Sequence, residues 1–466
     1  MKKLSELIEC SYDLEIKGIA TDSRNVEDGY LFIATKGYHV DHYLFIDDAI
    51  KHGAVAVVVD RVGSFSVPTV LVSDISQVLI SICEKFYEVS SRDFSFVGIT
   101  GTDGKTTTAM ITRNLLNLYF PTAYIGTNGL YCGDDIYPTQ NTTPCIEELY
   151  QAFSVVKKHN CKVIVMEVSS EALLHHRVDS ILFDVVAFTN ITEDHLNIHK
   201  SIENYRNCKF RLASLCKSNG NIFINGDCEN CQLLTVKCKI SFGVNSDNDC
   251  VISNVSECKD FVKFTVCYQG EKYHFSSPFL GIYNIYNVVL AWLIAGSFSL
   301  PYDKLCLSIS KLPVVPGRRE VFHDKRGFDV LLDYAHTENA VFHLLKSLSH
   351  YSRIIVVTGA AGGREKRKRS LIGDVLFQYA SYIVFTMDDP RYENPKEIAQ
   401  DMIGTHNEKE YTFIEDRQNA ISFAFQNAKK GDVVAVIGKG RDNYMAIYDK
   451  KLPYSDYDVI MNLLQQ

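Results

Sequence analysis

The chain has 466 residues, of which 46% are hydrophobic and 22% are charged, and its formal net charge is −8. This length predicts roughly three domains of ~100–200 residues with ample core. The acidic balance disfavours a nucleic-acid-binding surface and therefore a helicase-like motor, so no nucleic acid partner is expected.

The sequence shows no segment typical of export or of a membrane span. The first ten residues, MKKLSELIEC, turn polar too soon for a signal peptide. The longest apolar run, which starts at Val288, is too short to cross a bilayer and predicts a buried helix. The 14 cysteines are scattered, as in a protein whose thiols stay reduced. We therefore expect a cytoplasmic location without membrane insertion.

Residues 1 to about 88 predict a small β/α unit. A short apolar stretch leads into Thr21-Asp22-Ser23-Arg24, and a turn at Asp28-Gly29 precedes the strand YLFIA. A helix and two further strands follow. Ser23 and His39 are candidate ligand contacts, but capping of a turn explains such residues equally well, and the pattern alone leaves both interpretations open.

The most informative stretch is Phe96–Thr108, which reads FVGITGTDGKTTT. A buried strand that breaks into a glycine-rich turn and opens a helix is how proteins hold phosphate. Lys105 supplies a charge for the β- and γ-phosphates, and Thr106 can place a hydroxyl on Mg²⁺. The match to the Walker pattern is imperfect, because Ile99 stands at its first glycine. We predict a nucleotide site here, against the alternative of a chance glycine turn.

Strands and helices alternate after this loop. Short β-branched runs predict a mainly parallel sheet that presents the phosphate at the carboxyl ends of its strands. Glu167 ends one strand, where a carboxylate can hold Mg²⁺ or simply cap the strand. His195 follows another strand and is a candidate metal ligand or nucleotide contact, although a histidine taken alone is more often an ordinary surface residue. Lys209, taken alone, is a solvated lysine on a helix.

The segment Asn221–Phe279 has shorter alternating runs, which predict an antiparallel annex before a helix over Asn284–Gly296. One C-x-x-C motif, Cys228 and Cys231, lies in this segment. No second pair stands at a usual zinc-ligand spacing, so a zinc site is disfavoured.

The segment Lys311–Gly317 has two prolines and a glycine and predicts a linker. Four strands that alternate with helices follow, which predicts another open α/β sheet. Each of these strands is followed by polar or charged residues, namely Asp333 and His336, then Gly362 and Arg364, then Asp388, Asp389, Pro390 and Arg391, then Gly438 and Asp442. The carboxyl ends of parallel strands share one edge, so we expect one cleft that suits a ligand with amino and carboxylate groups.

Two basic features accompany this third unit. Arg318 stands at the junction, from which it could reach a γ-phosphate. The run Arg364–Arg369 has five cationic residues in six, which suggests an anionic partner or, alternatively, the solvated start of a helix.

Together and in this order, the motifs resemble the Mur ligase family over essentially the whole chain. The segments that carry the resemblance are TDSR, YLFIATKGYHVDH, GITGTDGKTTT, QNTTP, MEVSSEALLHHRVD, FTNITEDHLNIHKSIENYRNCK, GIYNIYN, VPGRREVF, DYAHTENA, TGAAGGREKRKRSLIG, DDPRYENP and GKGRDNY. QNTTP and HHRVD favour the branch that adds the third residue of the peptidoglycan stem peptide. Folylpolyglutamate synthase has a similar ATPase core but lacks the pattern of the first domain.

The resemblance implies an α/β fold of three domains. Residues 1–90 would bind the UDP part of the substrate, residues 91–312 would form a central P-loop parallel-sheet ATPase domain, and residues 313–466 would form a Rossmann-like domain that binds the amino acid. A monomer is expected.

The resemblance also implies roles for individual residues. The catalytic set would be Lys105, Glu167, His195 and Lys209. ATP would be held by Gly101, Thr102, Asp103, Gly104, Lys105, Thr106, Thr107, Asn287, Arg318 and His336, with Asp333 nearby. Two Mg²⁺ ions are expected, with the ligands Thr106, Glu167, His195 and a carbamylated Lys209, because carbamylation turns the amine into an anionic oxygen ligand.

The remaining roles concern the substrates. Uridine diphosphate would contact Ser23, Tyr38, His39 and Val40. The sugar peptide would contact Asn141, Thr142, Thr143, Ser169, His175 and Arg177, where His175 replaces a common glutamine. The diamino acid would contact Arg364, Asp388, Asp389, Pro390, Arg391, Gly438 and Asp442.

The implied reaction is ATP-dependent amide-bond formation through an acyl phosphate. The carboxylate of D-glutamate in the UDP-muramyl dipeptide attacks the γ-phosphate of ATP, and the incoming amine then displaces phosphate. Domain closure has to bring the amino acid onto the acyl phosphate and to exclude water. Peptidoglycan precursor synthesis is the implied process.

The incoming amino acid is the open point. In the family, D-N-P-R marks enzymes for meso-2,6-diaminopimelate, whose arginine pairs with the distal carboxylate. Here Asp389 replaces the asparagine, Arg391 is kept, and Arg441 and Asp442 replace a histidine and a glutamate. We favour diaminopimelate, with L-lysine as the alternative. Because Asp103 also departs from a common asparagine, a nucleotide-sugar-binding paralogue with weakened catalysis is a further alternative.

Overall fold

The structure, a computed structural model, describes residues 1–36, 41–258, 260–407 and 409–465. Within these ranges, three successive α/β units are built on sheets of four, eleven and six strands. This architecture confirms the predicted α/β class. No helix in the described ranges is long and apolar enough to cross a membrane.

The first unit is a small parallel sheet with helices packed beside it. Its strands are β1 (Lys2–Lys3), β2 (Glu15–Ile16), β3 (Gly18–Ala20), β4 (Tyr30–Ile33), β5 (Ala54–Val59) and β6 (Thr69–Leu71). Its helices are α1 (Leu4–Leu7), α2 (Ile46–Lys51) and α3 (Ile75–Tyr87). The sheet has the order β3-β4-β5-β6 with parallel pairings, and β1 and β2 form a separate antiparallel pair.

The second unit contains the eleven-stranded sheet. Its strands are β7 (Ser95–Thr100), β8 (Thr122–Gly126), β9 (Gly129–Cys132), β10 (Asp135–Tyr137), β11 (Val163–Glu167), β12 (Phe183–Phe188), β13 (Cys216–Asn225), β14 (Ile240–Gly243), β15 (Cys250–Glu257), β16 (Val262–Tyr268) and β17 (Glu271–Ser277). Its helices are α4 (Lys105–Asn117), α5 (Ile146–Lys158), α6 (Ser170–Leu174), α7 (Leu196–His199), α8 (Ile202–Ser214), α9 (Glu229–Gln232), α10 (Ile282–Gly296) and α11 (Tyr302–Ile309).

The sheet order is β10-β9-β8-β11-β7-β12-β13-β14-β15-β16-β17. All pairings from β8 to β15 are parallel, and only the strands at the two edges pair antiparallel. The predicted annex from residue 221 is therefore wrong in its first half. Asn221–Ile224 pairs parallel with Val185–Phe188 and continues the main sheet. Short, half-buried runs look alike in parallel and antiparallel strands, which explains the error.

The apolar run from Val288 lies in α10, as predicted for a buried helix. All residues from Asn287 to Gly296 are buried. They pack in one core with α4 and with the strands β15, β16 and β17. This packing holds α4 against the sheet and thereby fixes the position of the loop that precedes it.

The third unit has a six-stranded sheet. Its strands are β18 (Glu320–His323), β19 (Asp329–Asp333), β20 (Ile354–Thr358), β21 (Tyr382–Phe385), β22 (Tyr411–Phe413), β23 (Val433–Ile437), β24 (Tyr444–Ile447) and β25 (Lys450–Pro453). Its helices are α12 (Glu338–Ser347), α13 (Arg367–Tyr379), α14 (Pro395–Ile403), α15 (Arg417–Asn427) and α16 (Asp456–Leu464). The order is β18-β19-β23-β20-β21-β22, with only β18 antiparallel, and β24 and β25 form a hairpin.

Candidate active site

The loop between β7 and α4 bends sharply at two glycines. Gly101 and Gly104 have φ angles of 153° and 84°, which favour glycine. A Cβ on Gly101 would lie 1.8 Å from Oγ1 of Thr189, and one on Gly104 would lie 2.4 Å from Oδ1 of Asn287. The loop therefore requires both glycines, and its curvature leads backbone N–H groups to the start of a helix, where anions bind.

Two lysines converge on this loop. Nζ of Lys105 donates to the carbonyl oxygens of Gly101 and Thr102 at 3.0 and 2.9 Å, and Nζ of Lys209 donates to the same Gly101 carbonyl at 2.8 Å. Lys209 is only 1% exposed. Burial lowers the pKa of Lys209, and the charge of Lys105 lowers it further. Two amino groups that share one carbonyl oxygen suit a ligand with several anionic oxygens.

Glu167 is completely buried at the end of β11. Its Oε1 accepts hydrogen bonds from the Tyr124 hydroxyl at 2.5 Å and the Thr127 N–H at 3.0 Å, and its Oε2 accepts one from the Thr106 hydroxyl at 2.9 Å. A threonine hydroxyl beside a carboxylate oxygen is a typical pair of hard donors for Mg²⁺, which completes its shell with water and phosphate oxygens. The donor set therefore fits this ion.

His195 faces two carboxylates and the central loop. Its Nδ1 lies 3.8 Å from Oε1 of Glu171, and its Nε2 lies 3.5 Å from Oδ2 of Asp194. Burial lowers the pKa of His195 to about 3, although Asp194 opposes this shift. Among the described residues, no group of three or more His, Cys, Asp or Glu side chains could hold a metal ion. An unmodified lysine ammonium offers no lone pair, so the predicted second metal site requires the carbamylated form of Lys209.

The third unit contacts the loop directly. Nη2 of Arg318 donates to the Thr106 hydroxyl at 2.9 Å, and its guanidinium lies 4.5 Å from the centre of the Tyr334 ring. The hydroxyl of Thr337, which caps α12, donates to Oδ2 of Asp103 at 3.2 Å. These contacts bring the strand ends of the third unit against the phosphate loop, as a ligand shared between the two units requires.

A cavity of about 280 Å³, the central cavity, lies between the loop and these strand ends. The predicted residues that line it are Thr102, Asp103, Gly104, Lys105, Thr106, Thr107, Asn141, Thr142, Thr143, Glu167, Ser169, Arg177, His195, Lys209, Arg318, His336 and Arg364. Arg177 donates to the Thr143 carbonyl at 3.0 Å, and the Thr143 hydroxyl donates to the Glu167 carbonyl at 2.9 Å. The segments predicted for phosphate and for sugar peptide thus form one continuous wall.

A second cavity of about 560 Å³, the flanking cavity, adjoins the first. The two share Asp103, Gly104, Thr107, Arg318, Tyr334 and His336. The predicted residues Asn287 and Asp333 line the flanking cavity, together with Ile282, Tyr283 and Cys228. Amide, aromatic and aliphatic side chains beside a phosphate loop suit a planar base attached to phosphates.

A third cavity of about 210 Å³, the C-terminal cavity, also adjoins the central cavity and shares five lining residues with it. The predicted residues that line it are His195, His336, Arg364, Asp388, Asp389, Arg391, Gly438 and Asp442. Tyr334 and His336 line all three cavities. The strand ends that were predicted to share a cleft therefore do lie together, next to the loop.

Lys439 does not line the C-terminal cavity but contacts three carboxylates that do. Its side chain is fully buried, and Nζ lies 2.8 Å from Oδ1 of Asp389, 3.7 Å from Oδ1 of Asp388 and 3.9 Å from Oδ2 of Asp442. Asp389 Oδ1 also accepts the Ala446 N–H at 2.9 Å. Lys439 thus contacts three carboxylates, the charge of Arg417 also acts on Asp388, and Asp389 is already engaged within the protein.

Two arginines at this cavity have their guanidinium groups available. No carboxylate of the described residues forms an ion pair with Arg364 or Arg391. Arg441, by contrast, points away from the cavity, because its Nε donates to Glu320 at 2.9 Å and its guanidinium lies 3.3 Å from the Tyr457 ring centre. The replacement of histidine by Arg441 therefore builds a structural contact, and the cavity keeps Asp442.

Ser23 lies away from the three cavities, and Asp333 lines the flanking cavity but uses its carboxylate within its own loop. The Ser23 hydroxyl donates to Asp48 at 2.7 Å within the first unit. Asp333 caps its own loop by accepting the N–H groups of Arg319 and Ala335 at 2.6 and 2.7 Å. Gly101, His175 and Pro390 are not among the residues that line the three cavities. Tyr38, His39 and Val40 lie outside the described residues.

The basic run Arg364–Arg369 is partly structural. Arg369 is buried and donates to Glu393 at 2.7 Å and to Asp401 at 2.8 Å, and Lys368 bonds to Asp194 of the second unit. Two of the five cations are thus used within the chain. Only Arg364 lines the central cavity.

Sequence reasoning missed four functional neighbours. Tyr124 and Thr127 orient the carboxylate of Glu167, Lys439 neutralises the acidic cluster, and Cys228 lies in the wall of the flanking cavity. A tyrosine in the middle of the buried strand TAYIG was the one available signal, since a buried hydroxyl needs a partner. The partner itself lies 43 residues away.

Family models match the chain in three places. The catalytic domain of the Mur ligase family matches residues 15–92, the Mur ligase middle domain matches residues 99–295, and the glutamate ligase domain of Mur ligases matches residues 317–440. Each range falls within one of the three α/β units.

Curated relatives match over the full length. A UDP-N-acetylmuramoyl-L-alanyl-D-glutamate–2,6-diaminopimelate ligase from Caldanaerobacter subterraneus is 35% identical, with 100% of this chain and 98% of the relative covered. Proteins of the same name from Bacillus cereus and Aquifex aeolicus are 32% and 35% identical, over 98% and 96% of this chain and 97% and 94% of the relatives.

Solved structures show the same arrangement. A 2,6-diaminopimelate ligase of the same name superposes with a TM-score of 0.65 at 25% identity, over 100% of this chain and 99% of the other. A MurF ligase from Thermotoga maritima in complex with ADP superposes with a TM-score of 0.65 over 90% of this chain and 93% of the other. The identity to the second is 19%, so it supports the fold alone.

Proposed function

The chain belongs to the Mur ligase family, and we propose that it is the ATP-dependent ligase that adds meso-2,6-diaminopimelate to UDP-N-acetylmuramoyl-L-alanyl-D-glutamate. The product is a peptidoglycan precursor. The observation that carries the proposal is the meeting of three cavities at Tyr334 and His336. A nucleotide, a sugar peptide and an amino acid can each enter a different cavity with their reacting groups in the central one.

The residues of the central cavity suit phosphoryl transfer to a carboxylate. Lys105, the loop N–H groups and Arg318 surround the position of the phosphates, where they stabilise charge that spreads over the oxygens. Mg²⁺ at Thr106 and Glu167 would supply further neutralisation of that charge. Arg177 lines the same cavity, where its guanidinium would hold the acceptor carboxylate.

The second step needs an amine beside the acyl phosphate and little water. Arg364 and His195 line both the central and the C-terminal cavity, so the passage between them is short and polar. An amino acid held in the C-terminal cavity presents its amino group to this passage. The amine attacks the acyl carbon, phosphate leaves, and the proton of the amine passes to solvent or to phosphate.

The free guanidinium of Arg391 favours diaminopimelate over lysine. Arg391 is partly exposed, lines the C-terminal cavity and has no carboxylate partner in the described chain, so its guanidinium can pair with a carboxylate of the ligand. The distal carboxylate of diaminopimelate can form such a bidentate pair, and lysine has no such group. Asp389 does not neutralise Arg391, because its Oδ1 is bound by Lys439 and by the Ala446 N–H.

We further propose that Lys209 is carbamylated in the active enzyme, as the family resemblance implies. The burial of Lys209 and the absence of an ion-paired carboxylate among its described neighbours support this proposal. Lys209→Ala should lose turnover and partly regain it when short carboxylic acids are added. A variant that keeps full turnover, or one that no acid restores, would count against a carboxylated side chain.

The site is complete within one chain, and all 14 cysteines are free. We therefore propose a monomer that works in the reducing cytoplasm. Light scattering on the purified protein tests the oligomeric state, and a stable dimer at assay concentrations would contradict it.

The decisive test is an amino-acid panel. The protein is incubated with ATP, Mg²⁺ and the UDP-muramyl dipeptide, and phosphate release is followed with meso-diaminopimelate, L-lysine or L-ornithine. We expect release only when both acceptor and amino acid are present, with diaminopimelate the preferred substrate. ATP hydrolysis at an equal rate without either substrate would falsify the ligase assignment, and preferred use of lysine would overturn the choice of amino acid.

A further inference from the structure

The C-x-x-C motif in the wall of the flanking cavity has no part in the proposed reaction. Cys228 is half-buried and lines the cavity, and Cys231 is fully buried one helical turn further on, in α9. Cys228 is the N-cap of α9 with an extended backbone, and its thiol is hydrogen-bonded to that of Cys231, so the two sulfurs already lie next to each other, as a disulfide requires. The pair thus combines one accessible and one shielded thiol.

Cys228 is held in an environment that favours a thiolate. Its Sγ accepts the N–H of Ile191 at 3.3 Å and donates to the Ile191 carbonyl at 3.7 Å. Hydrogen bonding to the Cys231 thiol lowers the pKa of Cys228 to about 6, and backbone N–H groups assist. The same bond, together with burial, raises the pKa of Cys231. The accessible thiol is therefore the nucleophile, and the buried one is placed to resolve a mixed disulfide.

Ile191 belongs to a segment, residues 189–192, that is hydrogen-bonded to the phosphate loop. The Asn190 carbonyl accepts the Thr102 N–H at 2.8 Å, and Asn190 Oδ1 accepts the Asp103 N–H at 2.9 Å. The Thr189 hydroxyl donates to the Asp103 carbonyl at 2.6 Å. The sulfur of Cys228 is thus connected through Ile191 and this segment to the loop that holds phosphate.

We propose that Cys228 and Cys231 form a thiol–disulfide site, which a low-molecular-weight disulfide oxidises and whose oxidation weakens nucleotide binding. The Cys228 thiolate attacks one sulfur of the oxidant RSSR, a mixed disulfide forms, and RS⁻ leaves. The Cys231 thiol then gives up its proton and attacks the Cys228 sulfur, and the second RS⁻ leaves. Two protein thiols become one disulfide, and RSSR becomes two RSH that carry both protons.

Oxidation acts on the nucleotide site through Ile191. Reduced Cys228 contacts Ile191 either as a thiol that donates its S–H to the carbonyl or as a thiolate that accepts the N–H, whereas the neutral disulfide sulfur has no proton to donate and accepts only weakly. The segment 189–192 loses these bonds, and the Cys228 wall of the flanking cavity changes shape. Conversely, a nucleotide in that cavity covers Cys228. Binding and oxidation should therefore oppose each other, as thermodynamic linkage requires.

The test starts from the full-length protein in which the two exposed cysteines, Cys238 and Cys258, are replaced by serine. The reduced protein is treated with glutathione disulfide, and free thiols are mapped by alkylation and mass spectrometry. We expect loss of two hydrogens in the peptide that contains Cys228 and Cys231. In Cys231→Ser, a stable glutathione adduct should accumulate on Cys228, and in Cys228→Ser neither product should form.

Nucleotide binding is measured in parallel with a fluorescent ADP analogue. This part rests on the proposed ATP site. Oxidised protein should bind the analogue about tenfold more weakly, dithiothreitol should restore the affinity, and bound ADP should slow oxidation. Unmodified Cys228, or a disulfide that leaves affinity unchanged, overturns the inference. Reduced protein that fails to bind the analogue refutes instead the proposed ATP site, so the two failures are distinguishable.

Discussion

The central and C-terminal cavities meet at Tyr334 and His336, but their lysines differ in whether they form ion pairs with carboxylates of the chain. In the central cavity, Lys105 and Lys209 bond to backbone carbonyls, and neither forms an ion pair with a carboxylate of the described chain. At the C-terminal cavity, the three lining carboxylates of Asp388, Asp389 and Asp442 contact the buried Lys439. The lysines of the central cavity are therefore free to bind a negative ligand, whereas the charges at the C-terminal cavity largely balance one another without a ligand.

This difference follows from the ligands. A triphosphate brings several negative charges, so fixed cations without partners bind it strongly and need no counter-ion of their own. A diamino acid carries ammonium and carboxylate groups, so its cavity needs both cationic and anionic side chains that do not pair with each other. Lys439 holds the acidic groups together beneath the cavity and leaves Arg364 and Arg391 free. We therefore expect Lys105 of the central cavity to contribute to activity and Lys439 at the C-terminal cavity to contribute to stability.

The largest effect is expected for Lys105→Met. Loss of a charge that faces the transferred phosphate should lower kcat/KM by about 10³-fold. The thermal midpoint of unfolding should stay the same or rise, because repulsion of Lys209 is relieved. Coupled phosphate-release assays and calorimetry measure the two quantities, with Lys304→Ala, an exposed lysine on α11, as the matched control. If Lys105→Met were clearly less stable than the parent protein, Lys105 would have a structural role like that of Lys439.

The reverse pattern is expected for Lys439→Met. Removal of the buried cation leaves three carboxylates facing one another and should cost about 3 kcal/mol of unfolding free energy. Adding Asp389→Asn to this variant removes one of the carboxylates and should restore part of the loss. Urea denaturation followed by circular dichroism gives both values. If the single variant were as stable as the parent, Lys439 would not be the structural counter-ion.

These two lysines also show what sequence reasoning can and cannot reach. Lys105 sits in a contiguous motif whose loop, strand and helix are all local, so its position followed from neighbours in the chain. Glu167 followed from the rule that parallel strands end at one edge. Lys439 bonds to Asp389, 50 residues away, and Arg441 bonds to Glu320, 121 residues away. Such pairings depend on the order of strands in the sheet, which a single sequence does not encode locally.

Arg391→Ala should separate the amino acids. Its loss removes the group that pairs with the distal carboxylate, so kcat/KM for diaminopimelate should fall by about 100-fold. The low rate with L-lysine should change little, and Arg391→Lys should lie between the two. Steady-state rates with each amino acid provide the measurement. An equal fall with both amino acids would mean that Arg391 supports the fold of the cavity and does not read the carboxylate.

Asp442 should make amino-acid binding depend on pH. Burial raises the pKa of Asp442 to about 6, Asp388 and Asp389 add to the shift, and Lys439 opposes it. Above this pH the carboxylate is charged and can bind an ammonium group, and below it the protonated form cannot. The KM for diaminopimelate should therefore rise about fivefold between pH 6 and 5, and the rise should approach about tenfold per pH unit below pH 5. In Asp442→Asn the KM should be high at every pH in this range. If the KM of this variant still rose as the pH fell, another group would be responsible for the pH dependence.

The smallest effect is expected at Asp103, the one carboxylate within the phosphate loop. Its oxygens accept the Thr337 hydroxyl at 3.2 and 3.3 Å, so it connects the loop to the capped start of α12 at the cost of a negative charge near phosphate. Asp103→Asn keeps an acceptor for Thr337 and removes the charge, so the KM for ATP should fall by about two- to threefold at low salt. Added KCl screens the charge and should shrink this difference. Asp103→Ala removes the contact as well and should lower kcat. If Asp103→Asn lowered kcat as much as Asp103→Ala does, the negative charge of Asp103 would be what holds the two units together. A carboxylate would then have a structural role in the central cavity, as the carboxylates around Lys439 do at the C-terminal cavity.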